Sequence, residues 1–363
     1  MSLTFVEAAP RAVREEIEPV TNLTSSQIEQ IAEIFQTPLT GSYNWDYSLQ
    51  DDRIKKLYEL GKELNWNVET DLDWSQTFPR DSSPTAEELN PFTNYPPYQA
   101  LSAADKLKFN WHSQANQLSQ FLHGEQGALL VASQLVSCAP TYNAKLYAAS
   151  QTFDEARHVE VFNKYIQTKM KIMYPINKNL KLILDKVLAD PRWDLKFIGM
   201  QVIIEGLALA AFNTMQMSAR DPLLRQLVGY VIRDEARHVT FGINYLEEFV
   251  KSLSDEEKEA RALFAYETCV IMRERLISTD VFDHFGWNAE EAREYVLQGE
   301  FMKRFRNLLF TRVMPNLKKI GLLTDKIRPK FEELGILQFE NFVDDGVIDW
   351  VALQKPLRES VAS

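Results

Sequence analysis

Between residues 101 and 320 apolar side chains recur every three or four positions, glycine is sparse, and strand-like alternation is almost missing. The pattern predicts long helices over 103–138, 142–172, 192–219, 222–252, 256–279 and 288–320, with a shorter helix over 178–189 linking two halves. Proline marks the turns, in Cys138-Ala139-Pro140-Thr141 and in Ser218-Ala219-Arg220-Asp221-Pro222. Residues 1–100 are less regular. They predict two short helices, SSQIEQIAEIF and DDRIKKLYELGKELN, followed by an aromatic, proline-rich stretch. Trp66, Trp74, Phe78, Phe92, Tyr95 and Tyr98 read there as side chains packing a long arm onto a core. The chain reads as one all-α domain: an N-terminal arm over 1–100, a helical-bundle core over 101–255, and additional helices over 256–363.

Within that helical region the hexapeptide DEARHV occurs twice, at 154–159 and 234–239. Thirty residues before Glu155 stands Glu125, and thirty before Glu235 stands Glu205. Glu125/Glu205, Glu155/Glu235, His158/His238 and Tyr165/Tyr245 therefore match at one offset, the signature of a duplicated unit. The midpoint of each glutamate pair falls on a proline turn, at 140 and at 220. In an antiparallel helical hairpin both carboxylates then lie about 22 Å from the turn, at the same height. Each Glu-x-x-His spacing sends its two side chains to one helix face. Two such hairpins packed together converge Glu125, Glu155, His158, Glu205, Glu235 and His238 inside a four-helix bundle, which is the donor set of a dinuclear metal site. Four carboxylates balance most of the charge of two divalent ions, and imidazole adds a neutral donor that suits iron. Asp154 and Asp234 precede the ligating glutamates, and each is expected to accept the free ring N–H of the histidine on the opposite hairpin. Arg157 and Arg237 stand ready to pair with these aspartates.

Composition narrows the class. With 45% hydrophobic and 25% charged residues the chain can build a large core. A formal net charge of −11 argues against nucleic-acid or anionic-membrane partners. Two distant cysteines, Cys138 and Cys269, exclude a disulfide framework and a thiolate metal site. The N-terminus lacks the apolar run of a signal peptide and no stretch reads as a membrane span, so a cytoplasmic location is expected. No glycine-rich flavin or nicotinamide fingerprint occurs.

The in-register glutamates and Glu-x-x-His pairs over roughly 105–250 resemble the ferritin-like superfamily, in its dinuclear-metal oxidase and oxygenase branch. That resemblance implies a ferritin-like four-helix bundle with two Fe ions, or a Mn/Fe pair, that activates O2. It implies a small organic substrate oxidised by hydroxylation, desaturation or N-oxygenation, and a separate electron-donor protein; a homodimer is a further expectation. The subgroup stays open. Phe162 stands where radical-generating subunits carry a tyrosine, and Gly127 and Met200 where the ligand-binding oxidases carry a valine–tyrosine cross-link. Ala208 and Leu209 stand where hydroxylases carry a threonine, and Val231 where N-oxygenases add a third histidine. A radical-generating subunit and an iron-storage protein remain the alternatives. The substrate space is expected to be apolar, beside Phe162, Leu209 and Phe212, with Phe121, Leu122, Ala128, Leu129, Val202, Val231 and Ile232 also one turn from the ligands. Gln151, Thr152 and Gln201 are its polar exceptions; His112, His123 and His284 read as structural, and Glu267 and Glu274 as solvated.

Overall fold

The computed structural model describes residues 51–349 except 276 and 278, together with 24–27, 41 and 47. The helix expected over SSQIEQIAEIF lies mostly outside them. Among the described residues the protein is all-α, with one isolated antiparallel bridge between Thr85 and Ala219.

Helix α1 (Asp52–Glu63) precedes the irregular stretch, and the bundle follows as α2 (Ala103–Cys138), α3 (Tyr142–Tyr165), α4 (Lys178–Ala189), α5 (Trp193–Ser218) and α6 (Pro222–Ser252). Beyond it lie α7 (Asp255–Glu274), α8 (Asp280–His284), α9 (Ala289–Gln298), α10 (Glu300–Lys319) and α11 (Arg328–Glu333). Helix α2 packs along α3 and α5 along α6, so each expected hairpin is a hairpin. Local chemistry sets the turns. Ala139 leaves α2 in an extended conformation, and Thr141 Oγ1 then accepts from Ala144 N to start α3. Asp221 caps α6 through Leu223 N, with Pro222 at its first position, where a missing N–H costs nothing.

Two expected helices differ in extent. The one placed over 288–320 is two, because Gly299 takes an extended backbone (φ −66°, ψ 144°) between α9 and α10. The one placed over 256–279 ends at Glu274. Helix α3 continues as one wide π-helical turn, Ile166–Met170, closed by Lys171 in the left-handed region at φ 59°.

Helix α5 is long and apolar enough to pass for a membrane span by length and composition, although Asp194, Lys196, Gln201, Glu205 and Asn213 interrupt it. It is almost wholly buried between α6, α7 and α10, and the apolarity serves a core position. Its segment Phe197–Ile204 is π-helical and runs directly into Glu205. Opposite, at Gly242 of α6, a Cβ would come within 2.6 Å of Gln201 Cβ, so the wide turn lies against a helix with no side chain there.

The arm packs as its aromatics suggest. Trp66, Phe92, Tyr95 and Tyr98 are buried, while Trp74 and Phe78 sit half-buried against the same core. The arm also reaches the second hairpin turn, where Ala86 N donates to Ser218 O and Arg220 N to Pro84 O.

Candidate metal centre

Helices α2, α3, α5 and α6 each carry part of one buried cluster. Glu125 comes from α2, Glu155 and His158 from α3, Glu205 from α5, and Glu235 and His238 from α6; all six are buried. His158 Nδ1 stands 3.2 Å from Glu125, 3.3 Å from Glu155 and 3.1 Å from Glu235. His238 Nδ1 stands 3.1 Å from Glu155 and 3.7 Å from Glu235, and the two rings are 5.9 Å apart. The donors fall into two overlapping groups, Glu125/Glu155/His158/Glu235 and Glu155/Glu205/His238, each gathered within 4.8 Å. Glu155 belongs to both.

A second layer faces the far ring nitrogens. Asp234 lies 3.2 Å from His158 Nε2, and Asp154 lies 3.2 Å from His238 Nε2, each aspartate serving the histidine of the other hairpin. Arg157 donates to both aspartates, and Arg237 does so at 2.8 Å to each, closing a ring of two carboxylates and two guanidiniums between the DEARHV copies. Trp66 from the arm donates its indole N–H to Asp234 at 2.7 Å and stacks on Tyr230. The aromatic pattern alone marked Trp66 only as packing. Gln151 donates to Glu155 at 3.1 Å and to Glu205 at 3.0 Å.

The electrostatics are those of a site built around positive charge. Burial, reinforced by the charge on Glu235, pushes Glu125 up to about 8. Burial and the charges of Glu235 and Glu155 hold Glu205 well above the usual carboxylate range. Burial works against charge on both histidines. The carboxylates around His158, Asp234 first, and around His238, Glu155 first, outweigh it and hold both imidazoles well above their ordinary value. Both oxygens of Glu235, Glu205 Oε2 and His238 Nδ1 make no hydrogen bond. Buried carboxylate oxygens and a ring nitrogen converging without donors is the arrangement a metal ion completes.

A cavity of about 280 Å³ lies beside the cluster. A narrow cleft next to it is lined by Glu125, Glu205 and Glu235, and Gln120, Phe121 and Arg275 line both spaces. Phe212 lines the cleft, with Ala128, Met200, Ile204 and Ala208. Phe162 and Leu209 do not reach either wall. Phe162 stacks behind Phe212 at 5.8 Å, and Leu209 is buried in the core. Thr152 bonds back to Ala148 O of its own helix, and the Gln201 amide is fully buried without a partner. His123 bonds Tyr174 O, while His112 bonds the Tyr174 hydroxyl and stacks on His284. Glu267 and Glu274 are half-exposed and pair with Lys186 and with Arg273 and Arg293.

Tyr147 belongs near this cluster and was not singled out from sequence. Its hydroxyl is buried without a partner and feels the charges of His238, Arg237 and Asp154; burial pushes its phenol far above the usual range. The signal was present, since Tyr147, Gln151, Glu155 and His158 form one helical stripe.

Residues 48–321 match the P-aminobenzoate N-oxygenase AurF family. The chain belongs to that family. Among curated relatives it is 23% identical over 224 residues to an uncharacterized protein of Mycobacterium tuberculosis, covering 59% of this chain and 65% of that one. A counterpart in Mycobacterium bovis is 23% identical over 214 residues, covering 56% and 62%. The chain thus spans less than two thirds of the length of these relatives. A point mutant of an R2-like ligand-binding oxidase, solved with a reconstituted Mn/Fe cofactor, shares the fold, with a TM-score of 0.52, 20% identity, and coverage of 75% of this chain and 94% of that one. The family match supplies the subgroup that the sequence left open. Val231 is fully buried apolar core, so this member offers no third histidine at that place.

Proposed function

We propose that Glu125, Glu155, His158, Glu205, Glu235 and His238 hold two transition-metal ions, two Fe or a Mn/Fe pair, and that the chain is an O2-activating oxygenase acting on a small organic molecule in the adjoining cavity. The observation that carries this is the pair of overlapping donor groups with orphaned carboxylate oxygens. When bound, such metals supply the redox chemistry that O2 needs. This chain's residues do the rest. Asp234 and Asp154 hold the Nε2 protons of His158 and His238, which turns each Nδ1 lone pair toward the carboxylates. Gln151 fixes the inward oxygens of Glu155 and Glu205. Phe121 and Phe212, ring centroids 4.5 Å apart, keep the cleft apolar and exclude water. N-oxygenation is the reaction that the family's name carries, and we extend it to this chain as the first to assay. Electrons come from a separate donor protein, in keeping with the missing flavin and nicotinamide fingerprints.

Elemental analysis of protein grown with iron should find about two ions per chain, and Glu155→Ala and Glu235→Ala should lose them. Metal uptake in those variants equal to the wild type would sink the reading, and uptake with no O2 consumption under reductant would favour storage. One observation supports the alternative of a radical-generating subunit, namely the buried phenol of Tyr147. Electron paramagnetic resonance after mixing anaerobic ferrous protein with O2 decides between them. The oxygenase reading expects no persistent tyrosyl signal; a long-lived one abolished by Tyr147→Phe would replace it.

A further inference from the structure

One face of α2 lines the cavity with a polar stripe, Asn110, Ser113, Gln114, Gln117 and Gln120, at the spacing that keeps side chains on one side of a helix. Two carboxamides of that stripe are taken up by the protein. Asn110 donates to Ser83 Oγ at 3.2 Å and accepts from Asn90 at 3.1 Å and from the Tyr98 hydroxyl at 3.2 Å. Gln120 donates to Pro175 O at 2.8 Å and accepts from Asn177 N at 2.7 Å. Gln114, between them, is 5% exposed, and its Oε1 is buried with no donor. A buried acceptor left unpaired is costly, and the great majority of such atoms in folded proteins have a partner.

Position in the cavity gives this orphan a use. Gln114 stands seven residues before Phe121, which is two turns and about 10 Å along α2. Phe121 lines both the cavity and the cleft, and Glu125 follows it by one turn. The unpaired amide is therefore set back from the metal cluster along the helix. The cavity volume of about 280 Å³ is nearly twice the roughly 150 Å³ that suffices for a benzene ring, so the space takes a molecule longer than one ring. Phe282, Met302, Phe305 and Leu309 line the same space and suit an apolar body. The group that meets Gln114 Oε1 is a neutral donor, because a buried cation needs an anionic partner and no Asp or Glu is among the described residues that line the cavity.

We infer that Gln114 recognises the far end of an elongated substrate, accepting a hydrogen bond from a neutral N–H or O–H group carried about 10 Å from the end that faces the metal cluster. The inference deepens the proposed function and rests on it for the identity of the cavity as the substrate space. Gln114 is then a specificity-determining residue, selecting molecules by length and by polarity at the tip without touching the reacting atoms.

Equilibrium dialysis of the full chain with 4-phenylphenol and with 4-methylbiphenyl, which carry a hydroxyl or a methyl group at one tip, tests this. Wild type should bind the phenol about ten-fold more tightly. Gln114→Leu should bring the two close to parity while holding 4-methylbiphenyl as well as wild type does, which separates lost recognition from lost structure. Gln114→Met, which keeps the side-chain length, should do the same and serves where the leucine protein does not fold. Phenol itself, a single ring with the same donor, tests the reach. Phe121→Trp takes space at the cleft end and should weaken 4-phenylphenol several-fold while leaving phenol unchanged. No preference in the wild type, including no binding of either biphenyl, overturns the inference, as does a preference that persists in either Gln114 variant. Equal effects of Phe121→Trp on phenol and 4-phenylphenol remove the elongated substrate. The preference should survive removal of metal by a chelator; one that vanishes would place the hydroxyl on the metals and also overturn the inference. Metal content measured on the same samples reports separately on the dinuclear site, so its failure is distinguishable from failure at Gln114.

Discussion

Asp234 Oδ2 receives the Trp66 indole, Arg157 and His158 Nε2 together, and this crowding sets how firmly His158 is aimed. Removing the aspartate frees the ring, and Asp234→Ala or Asp154→Ala should weaken metal retention about 10–100-fold with the helical content unchanged. Trp66→Phe leaves Asp234 three partners, Arg157, Arg237 and His158 Nε2, and should cost only a few-fold. Competition against a chelator of known affinity ranks the three variants; a Trp66→Phe loss as large as that of Asp234→Ala would show that the indole, not the aspartate, aims the ring. The gathering of the six donors was legible because both copies keep one register, and register survives folding. Trp66 and Arg275 were not, because each comes from a segment with no repeat and meets the site only through the tertiary fold. Phe162 and Leu209 misled for a related reason: one turn from a ligand specifies height along the helix, not whether a side chain faces open space or a neighbouring ring.

Among the elements, helix lengths followed the sequence closely where an N-cap or a proline stands at the boundary, as at Ser102, Thr141 and Asp221. The π-helical stretch Phe197–Ile204 had no such mark, because its apolar residues satisfy any helical period. Its width is tied to Gly242, so Gly242→Ala should force Gln201 aside and shift the turn that delivers Glu205. About 1–3 kcal/mol of stability should be lost. Metal stoichiometry should fall with it, read by calorimetric melting and elemental analysis on one preparation; full metal content in a destabilised variant would uncouple the wide turn from the site. The matched tyrosines act at the same scale, as ties between helices and turns. The Tyr165 hydroxyl donates to Asp221 at 2.6 Å, and Tyr245 bonds Thr141 at 2.9 Å. Tyr165→Phe should cost about 1–3 kcal/mol, since its acceptor is a carboxylate, and Tyr245→Phe about 1 kcal/mol, by denaturant titration. Metal binding should be untouched in both, and a lost metal ion in either would bring the tyrosines back toward the site.

For the molecule as a whole, the arm is part of the bundle's construction. Helix α1 packs on α3 and α6, and the arm supplies Trp66 to Asp234 and Asn65 to Arg157. A chain begun at residue 101 should therefore fail to hold its metal ions even where helices form, as circular dichroism beside metal analysis would reveal. Residues 101–363 binding two ions with wild-type affinity would make the arm dispensable. The tyrosines described above carry a different message at this scale. Each hydroxyl leaves the open end of its own hairpin and fastens to the closed end of the other: Tyr165 of the first to Asp221 in the second turn, Tyr245 of the second to Thr141 in the first. The two copies are thus buttoned head to tail, and neither can come undone without releasing the other. The repeat survives as symmetry, and the two hairpins, tied at both ends, are expected to unfold together rather than one at a time.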